Sequence, residues 1–434
     1  MRAPSSAGYA VAAALFVASL SPTLLPRPAL TQAVLSGVFL AIGWGLAVLL
    51  ERPASPRPST VVFAACVATC GVAVAVAHRW QNRLREAMRM APIGAAHWVV
   101  VLLGAALVAA IVVGLAIGLR TVLRALGRRV AIVAVVVVVV GAAVLAPEFA
   151  QSRSTAYATA NATIDPDVVP PAGHRSGVPG VSEVAWSSLG AHGRRFVDGG
   201  NPATVRVYVG VDTDAEPSSR AARAVHELER LGGLARSNVV VAIPTGSGWV
   251  DGDFTAGVES RFAGDVAIVA MQYSKAPSWA SFLFGRKSAE AAAQALVDAV
   301  SARLQRIPHE ERPRLHVYGQ SLGAAAGSAA LGSMEESRVC SVLWAGPPSR
   351  VPTRAAAVLA NTSDPVVWWS PDLLIRAPDL GAARRDAPMP RWLPVLSFVQ
   401  TSVDMLAALE VPRGHGHRYG SDQGAGLGDC SGHR

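Results

Sequence analysis

Long, almost uncharged apolar stretches confined to the first third of the chain constrain this sequence more than any other feature. A helix crossing a hydrocarbon core of about 30 Å needs about 20 mostly apolar residues. Five segments invite that reading: 3–26, 29–50, 60–77, 97–119 and 130–147, the last with six consecutive valines from Val135. Pro26, Pro28, Pro53, Pro56 and Pro147 stand at their edges, where a missing N–H breaks no buried hydrogen bond. The first segment follows Arg2 and has the look of a cleavable leader, but the four segments behind it favour a retained helix. Residues 1–150 are therefore expected to form a transmembrane domain of about five helices. Residues 78–90 read equally as a basic amphipathic surface helix or as a loop. Arginines flank the two sides in nearly equal number, so charge asymmetry does not set the orientation. The expectation is a multi-pass plasma-membrane protein with its C-terminal domain extracytoplasmic.

The formal net charge of +9 would suit a nucleic-acid binder, but the basic residues form no patch interleaved with aromatics. Apart from Lys275 and Lys287 they are all arginines, many of them flanking apolar segments, as membrane-edge anchors do. No nucleic-acid partner is expected. Cys66 and Cys70 lie inside an apolar stretch and read as small buried hydrophobes. Cys340 and Cys430 are able to pair if their domain faces an oxidising compartment. Residues 151–203 are rich in Pro, Gly, Ser and Ala and read as a linker.

From Thr204 the pattern alternates strand and helix, the signature of an α/β fold with a mostly parallel sheet and helices on both faces. Strands are expected over 205–211, 238–243, 265–272, 314–318, 341–345 and 355–360, with helices over 219–231 and 288–307. The strand at 314–318 runs directly into Gly319-Gln320-Ser321-Leu322-Gly323, and an Ala-rich helix follows. G-x-S-x-G alone is a short pattern. Between a strand and a helix it describes a tight elbow that holds a serine nucleophile exposed, with glycines admitting the close passage. The competing reading of Ser321 is a helix N-cap.

A serine needs a base, and the base needs an orienting acid. In strand–elbow–helix hydrolases these follow in the order Ser, acid, His. Asp364, after the last strand and before Pro365, is the favoured acid over Asp372, Asp379 and Asp404. Gly414-His415-Gly416-His417 supplies the base. Alternation turns the two rings in opposite directions, so one of the pair serves, with His415 favoured over His417. The oxyanion hole is expected from the Leu322 amide and from the loop after 238–243, with Gly246 as donor. That loop lacks the third glycine of a dinucleotide motif, Asp251 standing in its place, and His309-Glu310-Glu311 lacks the second histidine of a zinc site. No cofactor and no metal are expected. Trp249, Trp279, Phe282, Phe284, Trp368, Trp369 and Trp392 crowd the surrounding loops and together suit an apolar acyl cleft. Residues 392–409, broken by polar side chains, read as a helix packed on the sheet rather than a further span.

With HVYGQSLGA at 316–324, SDPVVWWSPDLL at 363–374 and VPRGHGHRYG at 411–420, the chain resembles the actinobacterial membrane α/β-hydrolase family across nearly its whole length. That family joins a multi-span N-terminal domain to a C-terminal hydrolase domain, here 204–434. The resemblance implies Ser321, Asp364 and one of His415 and His417 as triad. The expected activity is serine hydrolysis of an ester or thioester, in a small-molecule or lipid acyl substrate. The alternatives are acyl transfer to a cell-envelope alcohol, or a binding or assembly protein without catalysis.

Overall fold

The computed structural model describes residues 6–50, 60–332, 334–335, 338–349, 351 and 356–430, with backbone alone at 50, 126–150, 279 and 283. Four helices come first: α1 (Ser6–Ser19), α2 (Ala29–Leu50), α3 (Thr60–Ala87) and α4 (Ala95–Ala162). Among the described residues, three helices are long and apolar enough to cross a membrane, spanning Ala29–Leu49, Thr60–Ala87 and Ala95–Ala125. Glycines let α2 and α4 approach closely; a Cβ on Gly104 would sit 2.8 Å from that of Ala33.

The helices depart from the expected five spans in three ways. Among the described residues the helix of the first apolar segment ends at Ser19, short of the expected end at residue 26. Pro22, Pro26 and Pro28 then break the helix, and residues 20–28 become a loop in which Leu24, Leu25 and Arg27 are buried. Residues 78–87 simply prolong α3; Leu84 is fully buried there and Met88 just beyond, so this is packing and not a surface helix. Residues 120–129, between the fourth and fifth segments, are helical as well, because their Arg, Leu and Ala residues are good helix formers. One helix therefore covers the fourth and fifth segments and the start of the supposed linker.

The rest of 151–203 is folded too. The Arg175 guanidinium donates to the carbonyls of Val197 (2.8 Å) and Asn201 (2.8 Å), and α5 (Gly190–Val197) sits against the first strand. Arg194 reaches back to the Thr163 carbonyl at the end of α4 (2.6 Å).

Six strands follow: β1 (Val205–Val209), β2 (Asn238–Ile243), β3 (Val266–Met271), β4 (Arg314–Gln320), β5 (Ser341–Ala345) and β6 (Ala357–Leu359). They form one all-parallel sheet in the order β1-β3-β2-β4-β5-β6. The first three are buried along their whole length, which is why β2 and β3 read as nearly unbroken Val, Ile and Ala runs, while β1 alternates valine with the buried Arg206 and Tyr208. Between them run α6 (Pro217–Arg230), α7 (Gly252–Arg261), α8 (Ser278–Phe284), α9 (Arg286–Gln305) and α10 (Leu322–Leu331). The sheet connects outward in opposite directions from β2 and β4, and a ligand crevice is expected beyond the carboxyl ends of strands at such a switch point. After β6 come α11 (Pro365–Trp368) and α12 (Leu396–Asp404). Instead of lying on the sheet, α12 packs against α11, and its Gln400 donates to the Ser19 carbonyl (3.1 Å) of the N-terminal domain.

Candidate active site

Ser321 stands between the end of β4 and the start of α10 with φ 53° and ψ −119°, a conformation that costs a non-glycine residue energy. Ser321 occupies the N-cap position of α10, but its side chain makes no capping hydrogen bond to the helix. Three glycines permit the elbow. A Cβ on Gly319 would lie 2.5 Å from the Gly323 carbonyl carbon, and one on Gly323 would overlap the Ile243 carbonyl oxygen at the end of β2. One on Gly327 would strike the Trp344 indole at 2.5 Å.

Asp364 follows β6, is fully buried and caps α11 by accepting from the Val366 amide (2.8 Å). Its Oδ2 lies 2.7 Å from His417 Nδ1 and accepts the Tyr419 hydroxyl at 2.6 Å. Burial and the Asp364 charge hold that tyrosine hydroxyl far above its ordinary range, so it stays a donor. A carboxylate on Nδ1 fixes the proton there and leaves Nε2 of His417 as the basic nitrogen.

His417 is tied to the elbow from two sides. Gln320, the residue before Ser321, donates through Nε2 to the His417 carbonyl (3.2 Å). Gly346 stands beside Ser321, because Gln320 pairs with Ala345 and the Ser321 amide donates to the Ala345 carbonyl (3.0 Å). A Cβ on Gly346 would lie 2.6 Å from His417 Cε1 and 2.7 Å from Asp364 Oδ2. His417 also lines an open cleft of about 430 Å³ with Trp249, Asp251, Leu409, Arg413 and Arg418.

His415, the histidine preferred from sequence, faces elsewhere. Its Nδ1 lies 3.1 Å from Asp386 Oδ2. Asp386 is held in turn by the Ser363 amide (3.0 Å), the Thr362 hydroxyl (3.2 Å) and the Ser363 hydroxyl. Two Asp–His pairs thus stand side by side, and only His417 meets Asp364. The other acids have separate roles: Asp404 pairs with Arg27 (2.5 Å), Asp379 accepts from the Gly381 amide (3.0 Å), and Asp372 sits in the 3₁₀ turn Pro371–Leu374.

Leu322 begins α10, where the first amides of a helix have no partner within it. Gly246 (φ +35°) lies in the loop after β2, packed on Ser278 at the head of α8. The Thr245 amide in that loop is engaged by the Trp249 carbonyl (3.0 Å). Of the aromatic set, Phe282 stacks edge-on against Trp369 (5.7 Å), which meets Phe398 (5.8 Å), and Phe284 is 85% exposed. Trp368 and Trp392 are structural: their indole N–H groups donate to the carbonyls of Thr362 (2.9 Å) and Leu373 (3.0 Å). The Trp279 side chain lies outside the described residues.

The profile of the Alpha/beta-hydrolase family matches residues 205–358 and 349–427, and that of the same family's N-terminus matches 20–201. The chain belongs to the alpha/beta-hydrolase family. Comparisons with curated proteins and with solved structures returned no match.

Sequence reading misses several residues that frame this alpha/beta-hydrolase site. Asp251 is buried at the N-cap of α7; burial raises its carboxyl, against the lowering effect of the Gln423 side chain (2.9 Å) and the Asp253 amide (2.9 Å). Gln423 accepts the Tyr318 hydroxyl (2.7 Å), and Tyr318 stacks on Phe254. Asn361 donates to the Gly416 carbonyl (2.8 Å) and accepts from Arg384 (2.6 Å), bracing the histidine loop. Tyr419 and Gln320 lie within conspicuous motif stretches. Asp386, in an ordinary Arg-Arg-Asp-Ala run, carries no local signal.

Proposed function

We propose that this alpha/beta-hydrolase is a membrane-anchored serine hydrolase that cleaves an ester or thioester of a lipid-like substrate. The observation that carries the reading is a strained elbow at Ser321, whose amide donates to the Ala345 carbonyl, next to Gly346, against which the buried Asp364–His417 pair packs. Ser321 Oγ attacks the acyl carbonyl while His417 Nε2 takes its proton. The tetrahedral oxyanion accepts from the Leu322 amide and from Gly246 in the loop after β2; each such donor typically contributes about 10²–10³ in rate. His417 then protonates the leaving alcohol or thiol, and water, activated by the same imidazole, releases the acid.

Three long apolar helices support membrane anchoring. The aromatic run of Phe282, Trp369 and Phe398 supports an acyl-chain substrate. Cys340 and Cys430 are disulfide-bonded, which favours an extracytoplasmic hydrolase domain, since such bonds persist in oxidising compartments. A fluorophosphonate probe tests the chemistry. Wild type should be labelled and Ser321→Ala should not; equal labelling of the two would refute the proposal. Adding acceptor alcohols and analysing products separates hydrolysis from acyl transfer.

A further inference from the structure

The N-terminal domain reaches the histidine loop directly. Arg27, at the end of the loop between α1 and α2, forms an ion pair with Asp404 at the end of α12 (2.5 Å), both side chains 2% exposed. The same guanidinium donates to Gln400 Oε1 (2.6 Å) and to the Gln400 carbonyl (3.2 Å). Asp404 Oδ2 also accepts from the Leu24 amide (2.8 Å), and the Arg27 amide donates to Gln81 of α3 (2.8 Å). Asp404 leads into the 3₁₀ turn Met405–Ala407, and the next carbonyl, that of Ala408, accepts the His417 amide (3.0 Å). Leu25 closes the circuit. A Cβ on Gly416 would lie 3.2 Å from Leu25 Cδ2, 2.7 Å from Val411 Cγ2 and 3.1 Å from the Ala408 carbonyl, so Leu25 packs under the backbone between the two histidines.

A buried ion pair is weak evidence of stability alone, because desolvation offsets its attraction. This one spans 377 residues of sequence and ends one short turn from the hydrogen bond on the His417 amide. We propose that Arg27, Asp404 and Leu25 are positioning residues for catalysis, and that the loop between α1 and α2 is a strut holding His417 against Asp364. The inference rests on the reading of His417 as the base. The N-terminal helices then serve as more than an anchor: the hydrolase domain lacks a part of its own active-site support without them.

The test uses the full chain in detergent micelles, p-nitrophenyl butyrate as substrate and the fluorophosphonate as probe. Arg27→Met alone leaves Asp404 buried and unpaired and risks misfolding, so the main variant is Arg27→Met/Asp404→Leu, with Leu25→Ala as a milder second. Both should lose roughly 10- to 100-fold in kcat with KM within about twofold, the scale of a base displaced by about 1 Å. The pH profile of kcat/KM should change with it, because catalysis then depends on a base held in a less constrained pose. Arg27→Lys should recover part of the loss. The buried pair Arg206–Glu259 (2.5 Å), on β1 and α7, is the control. Replacing it by Met and Leu should lower the melting temperature without moving the pH profile. Folded strut variants with wild-type kcat and pH profile would overturn the inference, as would an equal profile shift in the control. If His417→Ala itself stays active, the parent reading has failed; if His417→Ala is dead while the strut variants are wild type, only the strut has.

Discussion

The two adjacent Asp–His pairs allow a sharp test, since single substitutions in them should differ in effect by several orders of magnitude. His417→Ala removes the imidazole that touches Asp364. In a serine triad the loss of the base lowers kcat by about 10⁶-fold, leaving what substrate binding and the oxyanion hole contribute. The fold should survive, because Asp364 keeps the Val366 amide (2.8 Å) and the Tyr419 hydroxyl (2.6 Å) as donors. His415→Ala deletes one hydrogen bond of 3.1 Å to an Asp386 that retains the Ser363 amide, the Ser363 hydroxyl and the Thr362 hydroxyl. Its cost should be about 1 kcal/mol of stability, the net worth of an ordinary hydrogen bond, and less than about tenfold in kcat. Ester hydrolysis, rates of phosphonate labelling and melting temperature, measured on both purified variants, give the comparison. A folded His417→Ala enzyme retaining more than about a tenth of wild-type kcat, or a His415→Ala enzyme as dead as Ser321→Ala, would refute the assignment of the base.

Three other outcomes follow from the geometry. Gly323→Ala puts a methyl into the Ile243 carbonyl and must push the elbow off β2, so phosphonate labelling should fall by at least about 10² while the melting temperature drops only modestly. Reducing Cys340–Cys430, which closes a loop of 90 residues, should cost up to about 4–5 kcal/mol on the loop-entropy estimate; thermal melts with and without reductant measure it. Burial, aided by the positive charges of Arg314 and Arg261, lowers the His316 imidazole to about 4. The unfolded chain binds that proton below about pH 6.5 and the folded chain does not, so stability falls as pH drops from about 6.5 to 4, by about 3 kcal/mol in all. The midpoint of denaturant melts should fall with acidification across that range, and His316→Gln should flatten the trend.

The α/β half was legible because its signals are strong and local. Buried parallel strands announce themselves as Val and Ile runs, and the expected strands lie within a few residues of those observed, β6 being shorter than the 355–360 expected. The place of Asp364 after a strand and before Pro365 singles it out as a candidate, and the structure sets it against a histidine of the 415/417 pair. The choice between His415 and His417 was not legible, since alternation shows that the rings diverge without showing which way, and Asp386 carries no motif to point at its partner. In the helical third, hydropathy marked the apolar segments but not their breaks. Prolines ended α1 early, and an Arg-rich segment that reads as a loop is helical. Arg27, between two prolines, has the look of a charge at a membrane edge; only the contact with Asp404, far along the chain, makes it a buried one.

Gly346 offers a way to sort relatives by competence. Its missing side chain is the space in which the His417 imidazole and the Asp364 carboxylate meet, and its φ of +51° already disfavours any other residue. A chain of this architecture that keeps the serine motif but carries a side chain at this position has no room for a base in the same pose. On the proposed mechanism such a protein would keep the serine and lose the pose of its base, so the glycine and the serine have to be read together.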